Sequence, residues 1–343
     1  MKLLKKLPSP LGLTHDELVD LLLREEYGFL PSAPIEVTAS SDSTDTRFCA
    51  GKAELKHMTL HCKAAWGEFS FPFTYSCPTK VQKPVPAFMH INFRDLIPDA
   101  YQPTEEIIDR GYAVLTFCYK DVTSDDGDFT NGLAGVVYPD GTRAPDQCGK
   151  IGLWAWAAMA LMDYAMTLPE LDHGRISVCG HSRLGKTALL AGALDKRFCC
   201  AFSNDSGCSG AALAREAEGE TIEVITKVFP YWFSEDYKRH INREDEMPFD
   251  QHFLLAANAH HLVYVASAAE DLWASPKNEY LSCVAASGYF ETFGKVGFVH
   301  PDRLPTVGDA FHDGSIGYHL RGGKHYLSRE DWIRYFEYLE KHS

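Results

Sequence analysis

The chain has 343 residues, 45% apolar and 23% charged, which is enough to bury a large core and too apolar for disorder. Its net charge of −14, with Asp and Glu spread along the chain, offers nothing to phosphate backbones or anionic lipid surfaces. Nucleic-acid and membrane partners are therefore excluded, and a neutral or small substrate is expected.

In chain order, Met1-Lys2-Leu3-Leu4-Lys5-Lys6-Leu7-Pro8 is basic but is not followed by an apolar stretch of leader length. A cytoplasmic protein is the expectation, or a secreted one had a leader been removed. Thr14-x-x-Glu17 reads as a capping box ahead of a leucine-rich amphipathic run, predicting a helix over 14–30 that packs outside the main domain as an extension covering 1–30. Residues 58–76 carry β-branched and aromatic side chains and end on Cys77-Pro78-Thr79, predicting an antiparallel strand pair.

Continuous apolar runs then follow at Val85–Phe93, Tyr112–Cys118, Ile176–Cys179 and Leu262–Ser267, with helical stretches between them, including one near Thr104–Arg110. Strands without alternation that are separated by helices predict an α/β fold with a mostly parallel sheet covered on both faces, whose ligands sit beyond the strands' carboxyl ends. The apolar stretch Ile151–Leu168 is short and contains Asp163, which predicts a buried helix rather than a bilayer span.

From about 208 to 258 the rhythm lapses into charges and aromatics, including Phe229-Pro230-Tyr231-Trp232-Phe233, and an inserted helical lid is expected. Ser328-x-x-Asp331 opens a last helix running to about Lys341. One domain over 1–343 is expected, with no internal repeat. The ten cysteines form no Cys-x-x-Cys pair, and several, such as Cys118 and Cys179, lie in apolar runs, so reduced thiols acting as small hydrophobes are expected.

The segment richest in chemistry is Ile176-Ser-Val-Cys-Gly-His-Ser-Arg-Leu-Gly-Lys-Thr-Ala-Leu-Leu190, an apolar run, a small-residue turn with Ser182 at its tip, and a helix-like stretch. This is the pattern of a nucleophile elbow, although Leu184 stands where Gly-x-Ser-x-Gly has its second glycine and Gly185 follows it. A serine needs a histidine to accept its proton and a carboxylate to orient that histidine, which follow in the order serine, acid, histidine in α/β-hydrolases. His325, in a loop before the last helix, is the candidate base; His312 and His319 are rivals, with His319 in a strand-like run. Asp271, after the Leu262–Ser267 strand, and Asp205, after the segment beginning at Ala201, compete for the acid role, while Glu270 is expected to point elsewhere.

With those residues assembled, the chain resembles the glucuronoyl esterases of carbohydrate esterase family fifteen, particularly the bacterial branch, from about residue 80 to the end. Gly180-His-Ser-Arg-Leu-Gly-Lys186 matches the family's Gly-x-Ser-Arg-x-Gly-Lys. The resemblance implies that Arg183 helps hold the oxyanion and that Lys186 reaches sugar hydroxyls. Asn204–Ala212 is similar to a family block whose glutamate is the acid in many members, with the shorter Asp205 in its place. Other bacterial members carry the acid where Asp271 lies, two residues before a sugar-contacting tryptophan matched by Trp273, so Asp271 is favoured and Asp205 is the second candidate.

By the same resemblance Glu220 binds uronoyl hydroxyls, whereas Trp154-Ala-Trp156 reads as core packing. The fungal members have cysteine at the place of His181, so their disulfide is not expected here. The function implied is a serine esterase acting on alkyl esters of glucuronic or 4-O-methylglucuronic acid on xylan-derived saccharides, with imported oligosaccharide esters an alternative to the polymer. No metal or organic cofactor is required. An acetylxylan esterase or other carbohydrate carboxylesterase, and a non-catalytic carbohydrate-binding relative, are the competing readings.

Overall fold

A computed structural model describes residues 3–343. Its centre is a ten-stranded sheet. In chain order the strands are β1 (Glu36–Arg47), β2 (Ala53–Ala64), β3 (Gly67–Pro78), β4 (Val85–Asn92), β5 (Ala113–Cys118), β6 (Leu171–His181), β7 (Cys200–Asn204), β8 (Leu262–Ala268), β9 (Ala310–Phe311) and β10 (Ile316–Arg321). They lie side by side as β1-β2-β3-β5-β4-β6-β7-β8-β10-β9. The run from β5 to β10 is parallel throughout, and β1, β2, β3 and β9 pair antiparallel at the two edges.

The expected antiparallel pair is β2 and β3, joined at Ala64↔Gly67, and β3 continues through Pro78, where a turn was expected. β1 was not anticipated. Its sequence, Glu-Val-Thr-Ala-Ser-Ser-Asp-Ser-Thr-Asp-Thr-Arg, is almost wholly polar and mostly exposed, so it is held by the backbone ladder to β2 rather than by a buried face.

The α-helices of eight residues or more, among the described residues, are α1 (His15–Leu22), α2 (Lys150–Ala165), α3 (Arg183–Leu194), α4 (Pro276–Glu291) and α5 (Arg329–Lys341). Successive strand residues point to opposite faces, and both faces are dry. Met89, Val178 and Val265 join a core with Leu153 of α2, Leu189 of α3 and Tyr280 of α4. Phe88, Val114, Phe202 and Tyr264 meet Trp332, Tyr335 and Phe336 of α5 on the other face. Burial on both faces is why these strands read as continuous apolar runs.

Both capping boxes form, Thr14 with Glu17 at α1 and Ser328 with Asp331 at α5. α1 continues as a wider helical turn over Leu23–Tyr27 and stops at Gly28. Its inner side is buried, and the Tyr27 hydroxyl donates to the Ser209 carbonyl at 2.8 Å.

α2 covers most of the Ile151–Leu168 stretch, and among the described residues no helix is long and apolar enough to cross a membrane. Trp154 and Trp156 are fully buried on it, their indole N–H groups donating to the carbonyls of Thr123 and Ser32. Between β7 and β8, residues 208–258 carry only short helices, at Ile222–Val228, Glu235–His240, Glu244–Glu246 and His252–Ala257, the last wholly buried beside α1. All ten cysteines are free.

Candidate active site

Four parallel strands deliver the chemistry at their carboxyl ends. Ser182 follows β6, Asp205 follows β7, Asp271 lies just past β8, and His325 sits in the loop between β10 and α5. Ser182 has φ 59° and ψ −127°, a conformation that costs an L-residue about 1–3 kcal/mol and lifts its side chain clear of the turn. The strain is held in place by the Ser182 N–H donating to the Asn204 carbonyl at 2.8 Å and by α3 starting at the next residue. Gly180 is required there, because a Cβ would fall 2.2 Å from the Leu184 carbonyl oxygen. The second glycine, at 185, packs where a Cβ would meet Ser203, Ser206 and the Asn204 carbonyl at 3.1–3.2 Å.

A cavity of about 220 Å³ opens on this turn, lined by Ser182, Arg183, Lys186, Asp205, Glu220, Phe229, Trp232, Trp273 and His325 among others. His325 Nδ1 lies 2.6 Å from Asp271 Oδ2. An ionised carboxylate only accepts, so the ring's proton is on Nδ1 and Nε2 is left with a free lone pair, the tautomer a general base needs. Ser182 and His325 face the same cavity without a hydrogen bond between them, a spacing common before substrate draws such groups together.

Asp205 is buried, in the left-handed region at φ 44°, and its Oδ2 accepts from Arg321 Nη2 at 3.0 Å and from the Tyr326 N–H at 3.3 Å. Its Oδ1 has no partner. Burial and the neighbouring Glu279 push the Asp205 carboxyl well above the carboxylate range, and Arg321 pulls it down. Ligand atoms of Asp205, Asp271 and His325 lie within 4.8 Å of one another, the one group among the described residues with a spacing that could hold a metal ion. They are also the two candidate acids and the candidate base, so the same spacing lets both carboxylates bear on one imidazole.

Arg183 is fixed from two sides. Its guanidinium pairs with Asp125, which also accepts from Trp232 Nε1 at 2.8 Å and from the Tyr119 hydroxyl at 3.0 Å, and it lies 4.7 Å over the Trp232 ring and 5.3 Å over Phe229. Its Nε is buried without a partner. Lys186 is buried, its ammonium donating to the carbonyls of Ser206 and, at 2.6 Å, Cys208, with Glu220 Oε2 at 3.7 Å. Burial pushes the Glu220 carboxyl up and Lys186 opposes that. Gly219 lets this strip close onto the Trp273 backbone, since a Cβ there would lie 2.3 Å from the Trp273 carbonyl oxygen. Trp273 itself is 54% exposed at the cavity.

The rival histidines lie outside the cavity. His312 Nε2 is 2.7 Å from the Tyr264 hydroxyl, and buried His319 is 2.9 Å from Asp331. Glu270 turns to the histidine loop, accepting from the Gly323 N–H at 3.1 Å. Three supports were not anticipated from sequence: Asp125, Arg321 and His181. The His181 ring is 4.4 Å from that of His325, is buried, and its pKa is lowered to about 3, chiefly by burial, so it stays neutral. Its position directly before Ser182 was the available signal.

A strand-to-helix turn of this kind at the carboxyl edge of a mostly parallel sheet defines an α/β-hydrolase. Within that class the chain belongs to the glucuronyl esterase family, whose model, described as glucuronyl esterase of fungi, matches residues 61–294. It is 30% identical to the glucuronoyl esterase from Solibacter usitatus, with a TM-score of 0.85 over 96% of this chain and 92% of that one. It is 31% identical to a promiscuous esterase of carbohydrate esterase family fifteen from a marine bacterial metagenome, with a TM-score of 0.84 over 96% and 91%. It is also 39% identical to a carbohydrate esterase of an unknown prokaryotic organism over 240 residues, 69% of this chain and 55% of that protein. The chain spans about half the length of the curated relatives it matches, a 4-O-methyl-glucuronoyl methylesterase of Podospora anserina among them.

Proposed function

We propose that the chain is a serine esterase that hydrolyses alkyl esters of glucuronic or 4-O-methylglucuronic acid carried on xylan-derived saccharides. Ser182 Oγ attacks the C6 carbonyl carbon while His325 Nε2 takes the hydroxyl proton, and the carbonyl electron pair moves onto oxygen. The N–H groups at the start of α3 and the Arg183 guanidinium, already fixed by Asp125 and Trp232, meet that oxyanion without reorganising. Collapse of the intermediate breaks the bond to the alcohol oxygen, which leaves with the proton from His325. Water repeats the sequence on the acyl-enzyme and frees the acid.

Asp271 is the orienting acid in this reading, because it is the carboxylate hydrogen-bonded to His325 Nδ1. Lys186 and Glu220, 3.7 Å apart, offer a donor and an acceptor to sugar hydroxyls, and half-exposed Trp273 offers a flat apolar face. The ten free thiols suit a reducing compartment.

The observation that carries the proposal is His325, held 2.6 Å from Asp271, sharing one cavity with the strained Ser182, Lys186 and Glu220. The test is hydrolysis of benzyl or methyl glucuronate and of p-nitrophenyl acetate by the wild type and by Ser182→Ala. Turnover of the uronate ester that is lost in Ser182→Ala is expected, with little on acetate. Activity on acetate alone moves the substrate to acetylated sugars, and sugar binding without hydrolysis of either ester points to a carbohydrate-binding protein.

A further inference from the structure

The loop that carries His325 has no secondary structure, and Gly322, Lys324, His325 and Tyr326 are all exposed. One buried side chain ties it down. Arg321, the last residue of β10, donates from Nη1 to the carbonyls of Gly322 at 3.0 Å and Lys324 at 3.1 Å, and from Nη2 to that of Tyr326, so its bonds bracket His325 on both sides. The other Nη2 bond goes to Asp205 Oδ2 at 3.0 Å, and Nε meets both oxygens of Asp331, the capping residue of α5, at 2.9–3.0 Å. All five guanidinium N–H groups are used, in the planar fork that lysine lacks.

We propose that Arg321 is a positioning residue of the hydrolytic site, fastening the His325 loop to Asp205 and α5 and so holding the Asp205 carboxyl beside His325. The proposal rests on the Ser182–His325 reading above. Asp205 faces the acidic groups Glu279, Asp331 and Asp271, and Arg321 is the cation opposing them. Without Arg321 the buried Asp205 keeps only the Tyr326 N–H on Oδ2, and the carboxyl loses the planar fork that fixes its place beside the imidazole. The loop carbonyls lose their donors in the same step, and a histidine displaced by about 1 Å costs up to about a hundredfold in rate.

The test is the rate at which a fluorophosphonate probe labels Ser182, which reads the serine–histidine chemistry whatever the natural ester, with Ser182→Ala as blank. In Arg321→Met, folded by circular dichroism, labelling is expected to fall ten- to hundredfold, with Arg321→Lys intermediate because an ammonium still faces Asp205. Asp205→Asn added to Arg321→Met is expected to cost nothing more, since Asp205 is no longer held in place there. Labelling within twofold of wild type in a folded Arg321→Met, or a double-variant loss equal to the product of the two single losses, overturns the proposal. If Arg321→Met does not fold, Arg321→Lys replaces it, and wild-type labelling in that variant overturns it equally. A wild type whose Ser182 is not labelled at all refutes the hydrolytic reading instead.

Discussion

Replacing Asp271 by asparagine keeps the size and shape of the side chain and removes the charge that faces His325. In the wild type the Nδ1–Oδ2 contact is 2.6 Å, and the carboxylate is 6% exposed while the imidazole is 41% exposed. During attack on the ester the ring becomes an imidazolium whose centre lies about 4 Å from that carboxylate, worth about 4 kcal/mol at an effective dielectric of 20. Exposure of the ring screens part of this, leaving about 2–4 kcal/mol, or roughly thirty- to a thousandfold in rate. Asparagine also offers an N–H to Nδ1, favouring the tautomer with its proton on Nε2, where it cannot act as base.

Asp205 sets a floor to that loss. One of its oxygens lies within 4.8 Å of the pair's ligand atoms, yet its Oδ2 is committed to Arg321 and the Tyr326 N–H. Asp205→Asn alone is therefore expected to cost about tenfold, and the double variant more than Asp271→Asn. The assay is kcat on benzyl glucuronate for both singles and the double, at equal folded fraction. Abolition of turnover by Asp205→Asn together with wild-type-like turnover in Asp271→Asn would refute the assignment.

Ser182→Gly should raise stability over Ser182→Ala by about 0.5–2 kcal/mol, because glycine accepts φ 59° at the price of its own chain entropy, and denaturant midpoints of the two inactive variants decide it. Trp273→Ala should raise KM about tenfold, equivalent to about 1.4 kcal/mol, and leave kcat near wild type; a kcat loss with unchanged KM would contradict a sugar-facing role. Buried His181, His252 and His261 have pKa values lowered to about 3, 4 and 4, so the unfolded chain takes up protons that the fold refuses, and stability falls as pH drops from about 6.5 to 3. Glu26 and Glu279, both pushed up by burial to about 7, act in the opposite sense, contributing most below about 4.5 and losing that contribution as pH rises to 7. The two sets offset each other between about 4.5 and 6.5, so thermal melts should show the steepest acid loss below about 4.5, and a flat melting temperature there would count against neutral buried histidines.

The residues legible in the sequence share one property, which is that their signal is local. Ser182 shows itself through the apolar run before it, the small residues around it and the helix after it, all within fifteen positions of chain. The strands β4, β5, β6 and β8 were legible because burial on both faces removes alternation, and the two capping boxes because they close over three residues. β1 fails the same test: its partner is supplied by backbone, and its polar side chains carry no trace of the pairing.

Supports of the site fail it for a different reason. Asp125 reaches Arg183 across 58 positions and Arg321 reaches Asp205 across 116, and each sits in a stretch whose composition gives it nothing distinctive. Asp125 is one of three aspartates in Ser124-Asp-Asp-Gly-Asp128, and what singles it out is that Arg183, Trp232 and Tyr119 all converge on it. A nucleophile, a base and an acid must each be of a particular chemical type, so residue identity narrows the search. A positioning residue needs only to satisfy the groups the fold brings to it, so its role is written in the packing.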